Sequence, residues 1–291
     1  MVTAMTSSVS VDDLSPGDHA CLTYSDAEER LDIVAAFVRD GLGAGQKVVC
    51  FTDQAGMTDL ASELAQREVR APRRGQLTVR DNERSWIGSG RASAAGMIDV
   101  LAGELAMADQ QGYAGLRVTA DMCWATQPVA AVDELLVFES KVAGLFTGGR
   151  LTAICQYDRQ SFDQVTLAFA AKAHPRAVAA AVYYEDPLLR ICRQHVPPGI
   201  RLAGEIDYQR LPELNHALAE ALRLGGDIHV NLVHLRFLDA AAAAAIGRAA
   251  AGLPPGRSMV VTGPRLVAKM FALVGASELP AVRVRVVHGR P

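Results

Sequence analysis

The segment 200–251 changes its hydrophobic period several times, and this succession restricts the fold more than any other feature of the sequence. An apolar run from Ile200 to Ile206 predicts a buried strand. An amphipathic helix is predicted next from leucines at helical spacing, Leu211, Leu214, Leu218 and Leu222. A second strand is predicted from alternating apolar residues, Ile228, Val230 and Leu232. A short loop, 235–238, then leads to Asp239, whose carboxylate is predicted to N-cap an Ala-rich helix.

This strand, helix, strand, loop and helix order resembles the STAS domain, the fold of bacterial anti-sigma-factor antagonists. The resemblance covers about residues 199–285. It is carried by three short segments: Gly204-Glu205-Ile206-Asp207, Val230-Asn231-Leu232 and Phe237-Leu238-Asp239. It implies a STAS-like α/β domain that binds a protein partner, either an anti-sigma factor or the kinase that acts with it. It also leaves a homodimer open.

The sequence departs from this family pattern directly after Asp239. In such antagonists the next residue is a Ser or Thr that a partner kinase phosphorylates, whereas here it is Ala240. A phosphate would add about −1.5 to −2 charge at pH 7, and alanine cannot accept one. The domain is therefore either locked in the partner-binding state or kept only as a scaffold. The residues expected to contact a partner lie around this position: Arg236, Phe237, Asp239, Ala240 and Ala241.

Predicted strands and helices also alternate through residues 12–185, after a polar tail at 1–10 that is expected to be disordered. The strand Lys47–Thr52 is apolar throughout, which is typical of a strand covered on both faces. A helix is expected to start at Ser25, with Glu28 completing a capping box, and another spans 129–146. The alternation predicts βαβ units and a mostly parallel sheet with helices on both faces.

Four segments of this region resemble the MEDS domain, the sensory domain of methanogen and methylotroph regulators. They read GDHACLTYS at 17–25, AFVRDGLGAGQKVVCFTD at 36–53, GLRVTADMCWA at 115–125 and ICQYDRQSF at 154–162, and His174-Pro175 follows them. The resemblance implies a RecA/KaiC-like core that binds a small organic ligand. We therefore expect a MEDS-like domain at 12–185, a linker at 186–199 and the STAS-like domain at 200–291. Helical turns within 188–195 are also conceivable.

The region lacks the glycine and lysine pattern of an ATP-binding phosphate loop. That loop, GxxxxGK followed by Ser or Thr, would stand between the first strand and helix, where this chain has Thr23 to Asp26. The Gly-rich stretch ending at Lys47 follows a helix C-terminus, whose dipole disfavours anions. We therefore expect no ATP hydrolysis.

Ligands of open parallel sheets bind beyond the carboxyl ends of the strands. The residues at or just after those predicted ends are Tyr24, Asp53, Asp121, Cys123, Trp124, Gln156, Tyr157 and Asp158. They form the predicted site for a small, polar-headed organic ligand. The alternative for Asp53 and Asp158 is that each caps the following helix.

Glu139 falls in the middle of the apolar stripe of the helix predicted at 129–146. A carboxylate turned toward a core must be paired, hydrogen-bonded or protonated. We therefore add Glu139 to the predicted ligand site. The open alternative is a structural salt bridge with Arg117 or Arg159.

Two other functions compete with a small-molecule sensor. A metal- or haem-dependent redox sensor could use His19, Cys21 and Cys123, although the spacing assigns no metal ligands and lone buried cysteines are usually core residues. An enzyme would depend on Asp121 and Glu139 approaching each other. No cofactor follows from the sequence.

Charge and hydropathy argue against nucleic-acid and membrane partners. The net charge of the 291 residues is −3, without a basic run, so direct nucleic-acid binding is not expected. No apolar run reaches the ~18 residues of a membrane span, and the N-terminus does not resemble a signal peptide. The five cysteines lack CxxC spacing. These features predict a cytoplasmic protein.

Overall fold

The computed structural model describes residues 8–87, 92–126 and 132–287, and it divides the chain into two compact units between Ala179 and Ala180. The strands of the first unit are β1 Ser8–Val9, β2 His19–Tyr24, β3 Lys47–Thr52, β4 Leu77–Asp81, β5 Leu116–Asp121, β6 Leu151–Asp158 and β7 Arg176–Val178. Its α-helices are α1 Ala27–Gly43, α2 Gln54–Gln66, α3 Ala94–Gln110, α4 Val132–Lys141 and α5 Gln164–Ala173.

The seven strands of the first unit form one parallel sheet in the order β1-β7-β2-β6-β5-β3-β4. Every residue of β3 and β5 is buried, as expected for strands covered on both sides. Neighbouring residues of β6 point to opposite faces. Gln156 contacts Arg30 on α1, whereas Tyr157 contacts Glu139 on α4. Helices therefore cover both faces, and the predicted parallel α/β fold is confirmed.

Two predictions about helices of the first unit were wrong in detail. The helix expected to start at Ser25 starts at Ala27, because the Asp26 carboxylate accepts the Glu29 N–H at 3.0 Å. The helix predicted at 129–146 is α4 followed by a 3₁₀ turn, Val142–Phe146, and residues 129–131 of that prediction lie outside the described residues.

The ends of the first unit also differ from the predictions. Part of the expected tail at 1–10 forms β1, which pairs with β7, while residues 1–7 lie outside the described part. The apolar residues at 177–184 predict one strand, but they belong to two strands in different sheets, β7 and Val182–Glu185. The polar, Gly- and Ser-rich stretch at 81–93 predicts a long loop, but it includes a π-helical turn, Glu83–Ile87, and its residues 88–91 lie outside the described residues.

The second unit is a mixed α/β fold. Its strands are β8 Val182–Glu185, β9 Leu189–Gln194, β10 Gly199–Ile206, β11 Ile228–Leu238, β12 Met259–Gly263 and β13 Val282–Val286. They form one sheet in the order β13-β12-β11-β10-β9-β8. Strands β10 to β13 are parallel, whereas β9 pairs antiparallel with β10 and β8 pairs antiparallel with β9. The α-helices are α6 Leu211–Leu222, α7 Ala240–Ala251 and α8 Arg265–Leu273.

Two segments of the second unit form strands that the sequence pattern did not predict. The stretch expected as a linker, 186–199, contains β9, so helical turns at 188–195 are also wrong. The loop expected at 235–238 is instead the last part of β11. The pairing of β10 with β11 shifts register twice, and such irregularities break the simple alternation by which a strand is recognised in a sequence.

In the described part of the chain, no helix is long and apolar enough to cross a membrane.

Gly199 lies so close to the neighbouring strand that any side chain at this position would collide with its backbone. A Cβ atom built on Gly199 would lie 1.8 Å from the backbone oxygen of His229 on β11. We expect Gly199→Ala to lower the free energy of unfolding by about 3 kcal/mol, the upper range for overpacking. Gly225→Ala is the control, since its Cβ meets no atom within 4 Å, and a change within about 0.5 kcal/mol is expected. Chemical denaturation of both variants checks this, and equal losses would contradict the close approach.

Candidate functional site

A polar cluster lies at the carboxyl ends of β5 and β6, on the face covered by α1. Arg30 of α1 binds Asp121 through Nη2 to Oδ2 at 2.9 Å and donates from Nε to Gln156 Oε1 at 2.5 Å. Gln156 in turn donates to the Thr119 hydroxyl at 2.6 Å. The guanidinium also lies 5.2 Å from the ring centre of Tyr24. Three predicted site residues, Tyr24, Asp121 and Gln156, therefore meet around Arg30.

The groups that surround this ion pair are uncharged donors. Burial, together with the nearby Asp121 carboxylate, raises the pKa of the Cys123 thiol to about 12. Burial also raises the pKa of Tyr24 well above its usual range. About a quarter of the Arg30 side chain is exposed, so solvent reaches the cluster. One accessible ion pair, an amide and two neutral donors can hydrogen-bond the polar head of a small molecule.

The other residues predicted at the strand ends have different surroundings. Asp53 caps α2 by accepting the Gly56 N–H at 2.6 Å. Asp158 accepts from the Gln160 N–H and the Ser161 hydroxyl at 2.9 and 2.8 Å and so holds a turn near Tyr24 and Cys123.

Trp124 and Tyr157, also predicted for this site, are buried in the hydrophobic core instead. Tyr157 points to the opposite face of the sheet. The Arg30 cluster is therefore smaller than the predicted set, and Arg30 itself was missed because no pattern marks it on α1.

Glu139 lies in a second, buried cluster on the opposite face of the sheet. Its Oε1 accepts the Tyr157 hydroxyl at 2.5 Å. Its Oε2 lies 3.6 Å from His19 Nε2 and 3.3 Å from His174 Nε2. Cys155 Sγ lies 3.5 Å from His19 Nε2. The burial of this carboxylate was predicted correctly from the apolar stripe of its helix.

The partners suggested for Glu139 were wrong. Arg117 donates to the Phe37 carbonyl oxygen and stacks on its ring, while Arg159 donates to the Thr23 hydroxyl. Asp121 and Glu139 also lie on opposite faces of the sheet, so the carboxylate pair that an enzyme would need is not formed.

Four side chains of the buried cluster bring potential metal ligands together, namely His19, Glu139, Cys155 and His174. One ligand atom from each lies within 4.8 Å of all the others. Cys155 and His174 were not selected from the sequence. The sequence did indicate that Cys155 lies on the same face of the sheet as Tyr157, since residues two apart on a strand share a face. The redox alternative included His19, which lies in this cluster, but combined it with Cys21 and Cys123 rather than with Cys155.

Burial shifts the pKa values of three groups of this cluster, Cys155, Tyr157 and His19, in the direction that favours their neutral forms. Burial and the Glu139 charge raise the pKa of Cys155 well above its ordinary value and do the same for Tyr157. Burial and the neighbouring His174 lower the pKa of His19.

The thiols proposed for a redox sensor are expected to react slowly in the native protein. Burial raises the pKa of Cys21 to about 11 and that of Cys123 to about 12, and the thiolate is the reactive species. Thiol-reagent titration at pH 8 should be about 100-fold slower before unfolding than after it. A native thiol that reacts as fast as a free cysteine would contradict this.

The surface predicted to contact a partner is formed by the end of β11 and the start of α7. Asp239 caps α7 through Oδ1 to the Ala242 N–H at 2.7 Å, as predicted, and its Oδ2 accepts the Tyr208 N–H at 2.7 Å. Arg236, Phe237 and Ala240 are exposed, with 49% of Phe237 accessible, and Ala241 is half-buried. An apolar side chain and the first turn of a helix are thus presented together.

These two units, one with a parallel and one with a mixed sheet, define a chain of two α/β domains. The profile of the family described as MEDS, the MEthanogen/methylotroph, DcmR Sensory domain, matches residues 18–175, which is more than half of the chain. The chain belongs to the MEDS family. A second profile, described as Mlab, STAS domain, matches residues 190–283. Both predicted resemblances are therefore confirmed.

A similar curated protein is the "Transcriptional repressor DcmR" of Methylorubrum extorquens (strain DSM 6343 / CIP 106787 / DM4). It is 28% identical over 189 residues, which cover 62% of this chain. The chain spans 64% of that relative's length. A sensory domain joined to a STAS domain indicates a signalling or regulatory protein that interacts with a protein partner, and these families suggest roles other than catalysis.

Proposed function

We propose that this protein is a cytoplasmic regulator whose MEDS domain binds a small organic ligand and whose STAS domain binds an anti-sigma factor or its kinase. The observation that carries this proposal is the exposed first turn of α7, where Asp239 caps the helix and Ala240 follows it. Antagonists that the STAS domain resembles have a phosphorylatable Ser or Thr at the position of Ala240.

The surface around Ala240 supports close contact with a protein. The first N–H groups of a helix have no partners within the helix and can donate to another chain. Asp239 accepts the N–H of Ala242, which leaves those of Ala240 and Ala241 for a partner, and the exposed Phe237 supplies the apolar area that interfaces favour. Without a hydroxyl at position 240, phosphorylation at this point cannot add the negative charge that would repel a partner. Partner binding would then depend on the MEDS domain instead.

The Arg30 cluster supports the ligand-binding part of the proposal. Arg30 and Asp121 neutralise each other, so the cluster favours a polar but uncharged ligand over a polyphosphate. Tyr24 and Cys123 add neutral donors at the same edge of the sheet. The DcmR relative is described as a transcriptional repressor, and by analogy we propose that the output of this protein is a change in transcription.

Native mass spectrometry of the protein purified from its source cells tests the ligand site. We expect an organic mass that is lost on denaturation and whose occupancy falls in Arg30→Met, because Asp121 and Gln156 lose their common partner and the affinity drops at least tenfold (about 1.4 kcal/mol). Asp53→Asn is the matched control, since Asp53 only caps a helix at the same sheet edge. Equal occupancy in Arg30→Met and wild type would contradict the site.

A further inference from the structure

The buried cluster around Glu139 has the composition and spacing of a metal centre. In the described residues its four ligand atoms come from β2, α4, β6 and the C-cap of α5. A tetrahedral zinc ion binds nitrogen and oxygen at about 2.0–2.1 Å and sulfur at about 2.3 Å, which separates the ligand atoms by about 3.3–3.7 Å. Three of the separations between ligand atoms here are 3.3, 3.5 and 3.6 Å, and all lie within 4.8 Å.

Two atoms of the cluster have no hydrogen-bond partner although they are buried. These atoms are Glu139 Oε2 and His174 Nε2. His174 Nδ1 lies 2.7 Å from the Ala170 carbonyl oxygen, which can only accept, so Nδ1 carries the proton. If the ring of His174 is neutral, the lone pair on its Nε2 faces the Glu139 Oε2 atom, 3.3 Å away. Two facing lone pairs in a dry interior repel each other, and either a proton or a metal cation between them removes the repulsion.

The surroundings of the cluster match those of a bound metal. Ligating histidines usually donate their second ring N–H to a carbonyl or carboxylate, as His174 does to Ala170. Ligating carboxylates are usually hydrogen-bonded in turn, as Glu139 is by Tyr157. The ring of His19 is held by stacking on Phe146 at 4.4 Å.

We propose that the MEDS domain binds one zinc-type divalent ion through His19 Nε2, Glu139 Oε2, Cys155 Sγ and His174 Nε2. Two histidines, a thiolate and a carboxylate suit zinc and its borderline neighbours better than calcium or magnesium. The two anionic ligands neutralise a divalent ion, which permits full burial. On binding, the Cys155 S–H bond is replaced by an S–metal bond and one proton is released.

Four protein ligands fill a tetrahedral shell, so the geometry is that of a structural site rather than a catalytic one. The adjoining cavity, lined by Trp86, Met97 and Phe138, has a volume of about 10 Å³, which excludes a haem. The site lies on the opposite face of the sheet from the Arg30 cluster, so the inference does not rest on the proposed ligand or partner.

Cobalt substitution in the full chain tests this proposal. The protein is stripped with a chelator and titrated with Co²⁺ and then with Zn²⁺. We expect one Co²⁺ per chain, a thiolate-to-cobalt charge-transfer band and its loss on addition of Zn²⁺. Cys155→Ala should lack the band, and Glu139→Gln should bind Zn²⁺ at least tenfold more weakly. Cys50→Ala is the matched control, because Cys50 is a buried strand cysteine outside the cluster.

Two results would overturn the proposal. The first is wild-type protein that takes up no Co²⁺ and shows no charge-transfer band, which would leave a hydrogen-bonded His and Glu pair as the explanation of the cluster. The second is an undiminished band in Cys155→Ala. Circular dichroism reports whether the variants fold, and if they do not, the wild-type spectrum alone decides.

Discussion

Ala240→Glu is expected to weaken binding of the protein partner at least tenfold, or about 1.4 kcal/mol. The carboxylate would stand at the first position of α7, on the exposed surface beside Phe237, where it introduces a charge that must be desolvated on contact. Capture from extracts of the source cells, followed by identification of the enriched protein and measurement of its Kd, provides the test.

The design of this variant separates lost binding from lost folding. A negative charge in the first turn of a helix is stabilising, by about 0.3–1 kcal/mol, so Ala240→Glu should not unfold the domain. Ala251→Glu is the control, since Ala251 is an exposed residue at the other end of the same helix. Equal affinities of wild type and Ala240→Glu would move the interface away from this turn.

Removal of the metal is expected to lower the melting temperature of the wild-type protein by about 10 °C. A ligand present at 1,000 times its Kd stabilises the native state by about 4 kcal/mol. For a domain of 150–250 residues each kcal/mol corresponds to about 2–4 °C. The ion would join four elements of the MEDS domain, which is why its loss should act on the whole domain. Calorimetry with and without a chelator measures the shift.

Two cysteine variants make the melting experiment specific to the cluster. Cys155→Ala should melt at a lower temperature than wild type and show no further shift with chelator. Cys50→Ala should keep the chelator-dependent shift, because Cys50 is not a ligand. A wild-type melting temperature that does not change with chelator, in protein loaded with Zn²⁺, would contradict a structural metal.

The parallel sheet of the MEDS domain could be predicted from the sequence because its strands are buried on both faces. Segments such as Lys47–Thr52 are then apolar throughout and stand out between amphipathic helices. Two strands of the second unit were harder to predict. In β9 two buried residues follow each other between half-buried arginines, and β11 pairs irregularly with β10, so neither strand has a simple period.

Residues of the candidate sites could be predicted only where the sequence pattern of a single helix or strand marks them. Glu139 could be found because it interrupts the apolar stripe of its own helix, and Asp239 because a cap is a local feature. The partners of Glu139 come from three other elements, and their approach depends on the strand order, which the sequence pattern does not contain. Arg30 was missed for the same reason.

The affinity of the identified partner, measured before and after incubation with the partner kinase and ATP, tests most directly whether this regulator is independent of phosphorylation at position 240. We expect the wild-type Kd to stay the same, while Ala240→Ser, which restores a hydroxyl at the first turn of α7, should bind at least tenfold more weakly after treatment (about 1.4 kcal/mol). A wild-type affinity that falls with kinase and ATP would contradict the account, since the switch would then act at another residue.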